Sequence, residues 1–125
     1  MASKQEGKLR VAVIGTGNMG RNHVRNYFML PESELVAIAD VNPEAKSLAD
    51  DYRAKFFTDY KEMLEKARPD AVSVVVPTPF HLEVATEVMS RGIHCMLEKP
   101  IASSVEEADK LIACAKKNNV TFTVG

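Results

Sequence analysis

Three glycines and a later acid are the residues whose spacing points most directly to chemistry. The glycines run Gly15-x-Gly17-x-x-Gly20 straight after an apolar segment, and Asp40 ends the next apolar segment. The first glycine permits a tight turn, the second lets a pyrophosphate approach the backbone, and the third lets a helix lie close to a strand. A pyrophosphate there would accept hydrogen bonds from the unpaired amides at a helix N-terminus. The pattern predicts a dinucleotide site.

Asp40 bears on which dinucleotide is bound. It follows the last glycine by about twenty residues, the spacing at which a carboxylate meets the adenosine ribose hydroxyls. A 2′-phosphate would meet like charge there, and residues 41–44 contain no Arg or Lys. We therefore expect NAD(H) rather than NADP(H). A purely structural strand–turn–helix is the alternative, and the order strand, glycines, helix, strand, acid favours cofactor binding.

Strand and helix signals alternate along the chain with short connections. The predicted strands are residues 11–14, 34–40, 55–57, 71–76, 93–97 and 120–124, and the predicted helices are residues 18–30, 43–53, 58–67, 80–90 and 103–117. Right-handed crossovers turn this alternation into one doubly wound parallel sheet of about six strands, an α/β fold with helices on both faces. We expect residues 1–8 to be a disordered polar lead-in and residues 9–125 to be a single dinucleotide-binding domain.

Composition narrows the class of protein and of partner. The chain has 125 residues, 46% of them apolar and 26% charged, and a formal net charge of −1. That charge provides no field for nucleic acid or an anionic membrane, and no apolar run approaches the roughly 20 residues of a membrane span. Cys95 and Cys114 lack metal-type spacing, so we expect free thiols and a cytoplasmic location. The dispersed histidines predict no metal site.

Ligands of an open parallel sheet bind beyond the carboxyl ends of its strands, where three motifs should meet. They read Gly-Thr-Gly-Asn-Met-Gly-Arg-Asn-His (residues 15–23), Val-Pro-Thr-Pro-Phe-His-Leu-Glu-Val-Ala (residues 76–85) and Gly-Ile-His-Cys-Met-Leu-Glu-Lys-Pro-Ile-Ala (residues 92–102). With them the chain resembles the NAD-binding Rossmann domain of the glucose–fructose oxidoreductase/inositol dehydrogenase (Gfo/Idh/MocA) family over essentially all of residues 9–125. Family members normally continue into a C-terminal substrate domain, which we expect this chain to lack.

The resemblance implies the cofactor-binding domain of an NAD-dependent oxidoreductase acting on a secondary alcohol of a sugar, polyol or nucleotide sugar. It also implies a homo-oligomer formed through the further domain. A noncatalytic NAD(H)-binding sensor or interaction module is the alternative from another class. An S-adenosylmethionine methyltransferase is a third, but three glycines and an acid fit a dinucleotide better.

The same resemblance assigns the reacting side chains. It places Lys99 at the substrate hydroxyl, where an amine stabilises a developing alkoxide or relays its proton; a solvated lysine is the alternative. Glu98 either accepts from a cofactor ribose, orients Lys99, or is a surface acid paired with it. Similar proteins suggest a cis bond before Pro100. Many relatives carry Asn where Thr78 stands.

Two residue sets follow. The catalytic assignment is Lys99 alone, and the expected cofactor-binding residues are Gly15, Gly17, Asn18, Met19, Gly20, Asp40, Pro77, Thr78, Pro79, His81, Glu98, Lys99 and Pro100. His81 is expected near the cofactor or, equally, as a packing residue at a helix N-terminus. His23 matches a common family position, and we expect both it and His94 to be structural.

Overall fold

The computed structural model describes residues 7–125, so most of the predicted lead-in, residues 1–6, lies outside the described residues. The described strands are β1 (Leu9–Ile14), β2 (Ser33–Ala39), β3 (Lys55–Phe57), β4 (Ala71–Val74), β5 (His94–Leu97) and β6 (Phe122–Val124). The described helices are α1 (Asn18–Met29), α2 (Lys46–Asp51), α3 (Tyr60–Ala67), α4 (His81–Ser90) and α5 (Val105–Asn118). None of these helices is long and apolar enough to cross a membrane.

All six described strands form one parallel sheet in the order β3-β2-β1-β4-β5-β6. The chain winds outward from β1 in one direction, then returns to β4 and winds outward in the other. The doubly wound fold predicted from the sequence is therefore confirmed. The reversal between β1 and β4 leaves a crevice at their carboxyl ends, where such sheets bind ligands.

The sheet is buried on both faces because β1 alternates between two apolar clusters. Val11 and Val13 pack with Val24 of α1, whereas Ala12 and Ile14 pack in the other cluster with Leu64 of α3. Successive side chains of a strand point to opposite faces, so an unbroken apolar run suits a strand covered by helices on both sides. This core holds the strand ends rigidly beneath the crevice.

Two predicted elements end two residues earlier than expected. β4 was predicted over residues 71–76 but ends at Val74, because the chain then turns and brings the Val75 carbonyl against Gly15. The helix predicted over residues 43–53 is a 3₁₀ turn, Pro43–Ala45, followed by α2, and Arg53 has a φ of 58° that no right-handed helix accommodates. An apolar run alone does not mark where a strand leaves its sheet.

The three motif glycines have three different surroundings. Gly15 has a φ of +96°, and a Cβ there would overlap the Val75 carbonyl oxygen. A Cβ on Gly20 would overlap the Gly15 carbonyl oxygen, so α1 approaches β1 more closely than any side chain permits. Around Gly17, in contrast, no atom beyond its chain neighbours lies within 4 Å of an added Cβ.

Alanine at Gly20 should therefore destabilise the fold, whereas alanine at Gly17 should not. We expect Gly20→Ala to lower the free energy of unfolding by about 3 kcal/mol or more, because overpacking here meets backbone rather than a movable side chain. Gly17→Ala, the matched control, should change it by less than about 1 kcal/mol. Urea unfolding followed by circular dichroism measures both, and equal losses would contradict the close packing of α1.

Candidate dinucleotide site

A groove of ≈ 800 Å³ opens at the carboxyl ends of β1, β2 and β4. Its walls are mostly apolar and include a few polar groups. The lining residues are Ile14, Gly15, Thr16, Gly17, Asn18, Met19, Ala39, Asp40, Val41, Thr58, Tyr60, Val75, Val76, Pro77, Phe80, Glu83 and Val84. The groove coincides with the switch point of the sheet.

The structure divides the predicted cofactor set into two parts. Six predicted residues line the groove, namely Gly15, Gly17, Asn18, Met19, Asp40 and Pro77. The other seven are not among its lining residues, namely Gly20, Thr78, Pro79, His81, Glu98, Lys99 and Pro100. Sequence reasoning missed Thr58 and Tyr60 in the wall, although both follow β3, whose carboxyl end belongs to the same edge of the sheet.

The N-terminus of α1 is open toward the groove. Gly17 occupies the N-cap position, where it makes no side-chain cap hydrogen bond, and the first turn contains no acidic residue. Unpaired amides at a helix N-terminus attract an anion. Together with the free space around Gly17, this end of α1 fits the pyrophosphate of a dinucleotide.

Asp40 is held as a charged carboxylate at the edge of the groove. One of its oxygens, Oδ2, accepts from the Thr16 amide at 2.8 Å and the Thr16 hydroxyl at 2.6 Å, and Oδ1 accepts from the Asn42 amide at 2.8 Å. Burial raises the pKa of Asp40, but the hydrogen bonds from the Thr16 hydroxyl and from the two amides outweigh it and lower the pKa overall. A carboxylate so placed fits ribose hydroxyls and repels a 2′-phosphate.

Tyr60 lines the groove, but its hydroxyl is buried away from solvent. Its hydroxyl is buried and has no hydrogen-bond partner among the described residues. Burial, together with the nearby carboxylates of Glu83, Glu87 and Asp59, raises the pKa of Tyr60 to about 12. The phenol therefore keeps its proton near neutral pH, and its hydroxyl, which solvent does not reach, is not a ligand contact in this conformation.

The predicted Glu-Lys-Pro segment follows β5, beside the groove. The amide of Glu98 donates to the Val74 carbonyl at 3.1 Å, and the amide of Lys99 donates to the Gly125 carbonyl at 3.3 Å. The Lys99–Pro100 peptide bond is cis, as the resemblance implies. Lys99 is exposed to solvent.

Glu98 is neither a free surface acid nor a partner of Lys99. Its Oε2 lies 2.8 Å from Nε2 of His23, a residue for which only a structural role was expected. The His23 Nδ1 atom lies 3.0 Å from the Ser73 hydroxyl, which is 2.6 Å from the hydroxyl of Tyr27. One signal was present in the sequence, because His23 and Tyr27 are four residues apart on one helix face and Ser73 interrupts an apolar strand.

His81 lies beneath the groove rather than in its wall. Its ring is 1% exposed, and its two nitrogens lie 2.9 Å from the Val76 carbonyl and 3.2 Å from the Ile101 carbonyl. A neutral imidazole carries one N–H and donates to only one of them. His81 thus packs at the N-terminus of α4, and a direct contact between His81 and the cofactor stays a prediction.

The third histidine and the two cysteines have no grouping typical of a metal site among the described residues. His94 accepts the Thr121 amide through Nδ1 at 2.9 Å, a structural role as expected. Among residues 7–125 no three His, Cys, Asp or Glu side chains are grouped to hold a metal ion. Both cysteines are free thiols, and burial raises the pKa of Cys95 to about 12.

Comparison with known proteins identifies similar sequences and folds. The family model described as "Oxidoreductase family, NAD-binding Rossmann fold" (Gfo/Idh/MocA) matches residues 9–125. UDP-N-acetylglucosamine 3-dehydrogenase of Acidithiobacillus ferrooxidans is 38% identical, with 94% of this chain and 36% of that protein covered. D-glucoside 3-dehydrogenase of Escherichia coli is also 38% identical, with 87% of this chain and 32% of that protein covered. The chain thus spans about a third of the length of these relatives.

Structural comparison agrees with the sequence matches. The crystal structure of GenD2 from gentamicin A biosynthesis, in complex with NAD, superimposes with a TM-score of 0.92 at 28% identity, covering 100% of this chain and 36% of that one.

Replacing Thr16 by valine should remove part of the stabilisation of the Asp40 carboxylate. Because the folded-state pKa of Asp40 lies below its ordinary value of 3.8, this stabilisation is present above pH 3.8 and is lost as the pH falls through the folded-state pKa. We expect Thr16→Val to lower the free energy of unfolding by about 1–2 kcal/mol at pH 7 and by less in acid. The pKa of Asp40, followed by NMR titration, should rise.

Urea unfolding at several pH values checks the effect on stability. Asp40→Asn is the control, since valine at position 16 should have a smaller effect once the carboxylate is gone. An Asp40 pKa unchanged by Thr16→Val would contradict the assignment.

Proposed function

The chain belongs to the Gfo/Idh/MocA oxidoreductase family with its NAD-binding Rossmann fold, and from that membership we propose that residues 9–125 bind NAD(H) for a dehydrogenase acting on a secondary alcohol of a sugar, polyol or nucleotide sugar. The observation that carries the proposal is that one groove combines an open helix N-terminus with a charged carboxylate. These groups suit the pyrophosphate and the adenosine ribose of one dinucleotide.

Different parts of the groove bind different parts of the dinucleotide. The α1 amides beside Gly17 hold the pyrophosphate, and Asp40 accepts hydrogen bonds from the adenosine ribose. The apolar wall formed by residues such as Val75 and Phe80 excludes water from the rest of the molecule. When bound, NAD supplies a hydride acceptor, and the protein supplies position and electrostatics.

Lys99 is the residue we propose for proton handling. Its exposed amine stands at the carboxyl end of β5, next in the sheet to β4, whose end borders the groove. As a substrate hydroxyl is oxidised, an ammonium at this point stabilises the developing alkoxide and an amine accepts its proton. A noncatalytic NAD(H)-binding module is the second candidate, but it has no use for an amine beside the nicotinamide.

Substrate and assembly follow from the relatives rather than from the groove. Both relatives described above are named as 3-dehydrogenases of sugar compounds, which supports a sugar hydroxyl as the reacting group. Because those proteins are about three times as long as this chain, we propose that the substrate pocket and any homo-oligomer interface belong to a further domain. A cytoplasmic location is proposed from the two free thiols.

NAD(H) should bind more tightly than NADP(H), by roughly tenfold or more. Asp40 meets the 2′-phosphate with like charge, and no cation follows it in residues 41–44. Asp40→Ala should narrow the difference, mainly by weakening NAD(H). Calorimetric titration measures both affinities, with Gly17→Val as the variant that folds but does not bind. Equal affinities in the unsubstituted chain would exclude this assignment of Asp40.

Lys99→Ala, made in the enzyme that contains this chain and a substrate domain, should lower turnover by about 10²–10⁴-fold. The affinity for NADH should change much less, because the substitution removes a reacting group rather than the groove. Lys110→Ala, exposed on α5, is the matched control. Residues 1–125 alone should bind NADH without oxidising sugars or polyols, since nothing in the part of the chain that the structure describes encloses a substrate carbon about 3–3.5 Å from the nicotinamide.

NADH formation measured by absorbance tests both statements. Normal turnover by Lys99→Ala would remove its catalytic role, and clear turnover by residues 1–125 would refute the need for a further domain.

A further inference from the structure

A row of hydrogen-bonded polar side chains lies on the α1 face of the sheet, between α1 and the end of β5. The hydroxyls of Tyr27 and Ser73 are 2.6 Å apart, Ser73 is 3.0 Å from Nδ1 of His23, and Nε2 of His23 is 2.8 Å from Oε2 of Glu98. Ser73 is completely buried, and the side chains of His23 and Glu98 are 14% and 16% exposed. The proposed function gives no role to His23, Ser73 or Tyr27.

The hydrogen bonds of this network can all be donated in one direction, from Tyr27 toward Ser73 and from His23 toward Glu98. The Glu98 carboxylate only accepts, so Nε2 of a neutral His23 imidazole carries the proton and donates it to Glu98. His23 Nδ1 then accepts from the Ser73 hydroxyl, and Ser73 accepts from the Tyr27 hydroxyl. Each bond has one donor and one acceptor, and a satisfied buried network of this kind holds its members in one geometry.

Fixing the side chain of Glu98 also fixes the direction of its neighbour. The amides of Glu98 and Lys99 donate to opposite flanking segments, at Val74 and Gly125 respectively. The backbone is thus extended here, and successive side chains of an extended chain point to opposite faces. With Glu98 held on the α1 face by His23, Lys99 is directed to the other side.

We propose that His23 is a positioning residue for the Glu98–Lys99–Pro100 segment, which it holds at the nicotinamide end of the cofactor groove. The proposal rests on the proposed function, since it presumes that NAD(H) occupies this groove. It adds a specific dependence: binding of the nicotinamide half requires the donor that His23 presents to Glu98. The pyrophosphate and adenosine half does not require it.

The two ring nitrogens of His23 allow this role to be separated from simple packing of α1. A glutamine at position 23 extends its amide to about the place of Nε2 and keeps a donor for Glu98. An asparagine extends its amide only to about the place of Nδ1 and keeps the contact with Ser73. If His23 merely packs α1 against β4 through Ser73, asparagine is the better replacement. If it positions Glu98, glutamine is.

The experiment compares NADH with ADP as ligands of the 125-residue chain and its variants. ADP carries the adenosine and pyrophosphate only, so it reports on the half of the groove formed by Gly17 and Asp40. We expect His23→Asn to weaken NADH roughly five- to tenfold, the value of about one hydrogen bond, and to change ADP affinity less than about twofold. His23→Gln should restore NADH affinity to within about twofold of the unsubstituted chain.

Each outcome has a defined meaning. The positioning role is overturned if His23→Asn weakens NADH and ADP equally. It is also overturned if His23→Asn binds NADH more tightly than His23→Gln does. If the unsubstituted chain binds neither ligand, the proposed function fails instead.

Should His23→Asn prove unfolded in the absence of denaturant, Glu98→Ala tests the same dependence. It removes the acceptor and leaves the contact between His23 and Ser73 in place. An unchanged ratio of NADH to ADP affinity in this variant overturns the proposal.

Discussion

Helix α1 lies so close to the turn after β1 that the carbonyl of Gly15 occupies the space of a side chain at Gly20. This contact sets the position of the whole helix. At its start, the N-terminal amides are brought to the edge of the groove. One turn later, His23 is brought over Ser73 of β4. A displacement of α1 by the width of one methyl group would disturb the proposed pyrophosphate site and the polar chain to Glu98 together.

The carboxyl ends of the strands are joined across the sheet by side chains rather than by the ladder alone. Thr16, after β1, holds the carboxylate of Asp40, after β2. On the other side of β1, His81 lies between carbonyls that follow β4 and β5. His23 makes the corresponding connection on the α1 face through Glu98. Two histidines on opposite faces thus hold the loops after β4 and β5, and a loop held in advance loses less conformational freedom when a ligand binds.

The cofactor binding and the proton transfer that we propose belong to different parts of the carboxyl edge of the sheet. The groove with Gly17 and Asp40 is built from the segments that follow β1, β2, β3 and β4. Lys99 is exposed beside the groove, next to Glu98, whose carboxylate is hydrogen-bonded to His23. Such an arrangement suits a domain that binds a cofactor by itself and needs a covering domain to enclose a reacting alcohol, because an amine in open solvent acts on no particular substrate.

Local rules were enough to predict the six-stranded fold, the glycine turn and the position of Asp40 at the end of β2. Alternating apolar runs, glycine conformations and short crossovers all depend on residues close in the chain. They were not enough for the ends of β4 or for the wall residue Tyr60, because both depend on what packs opposite. The role of His23 was further out of reach: its partners lie 50 and 75 residues away in sequence. Sequence spacing indicates which residues share a helix face, but only the folded sheet decides which distant hydroxyl and carboxylate that face meets.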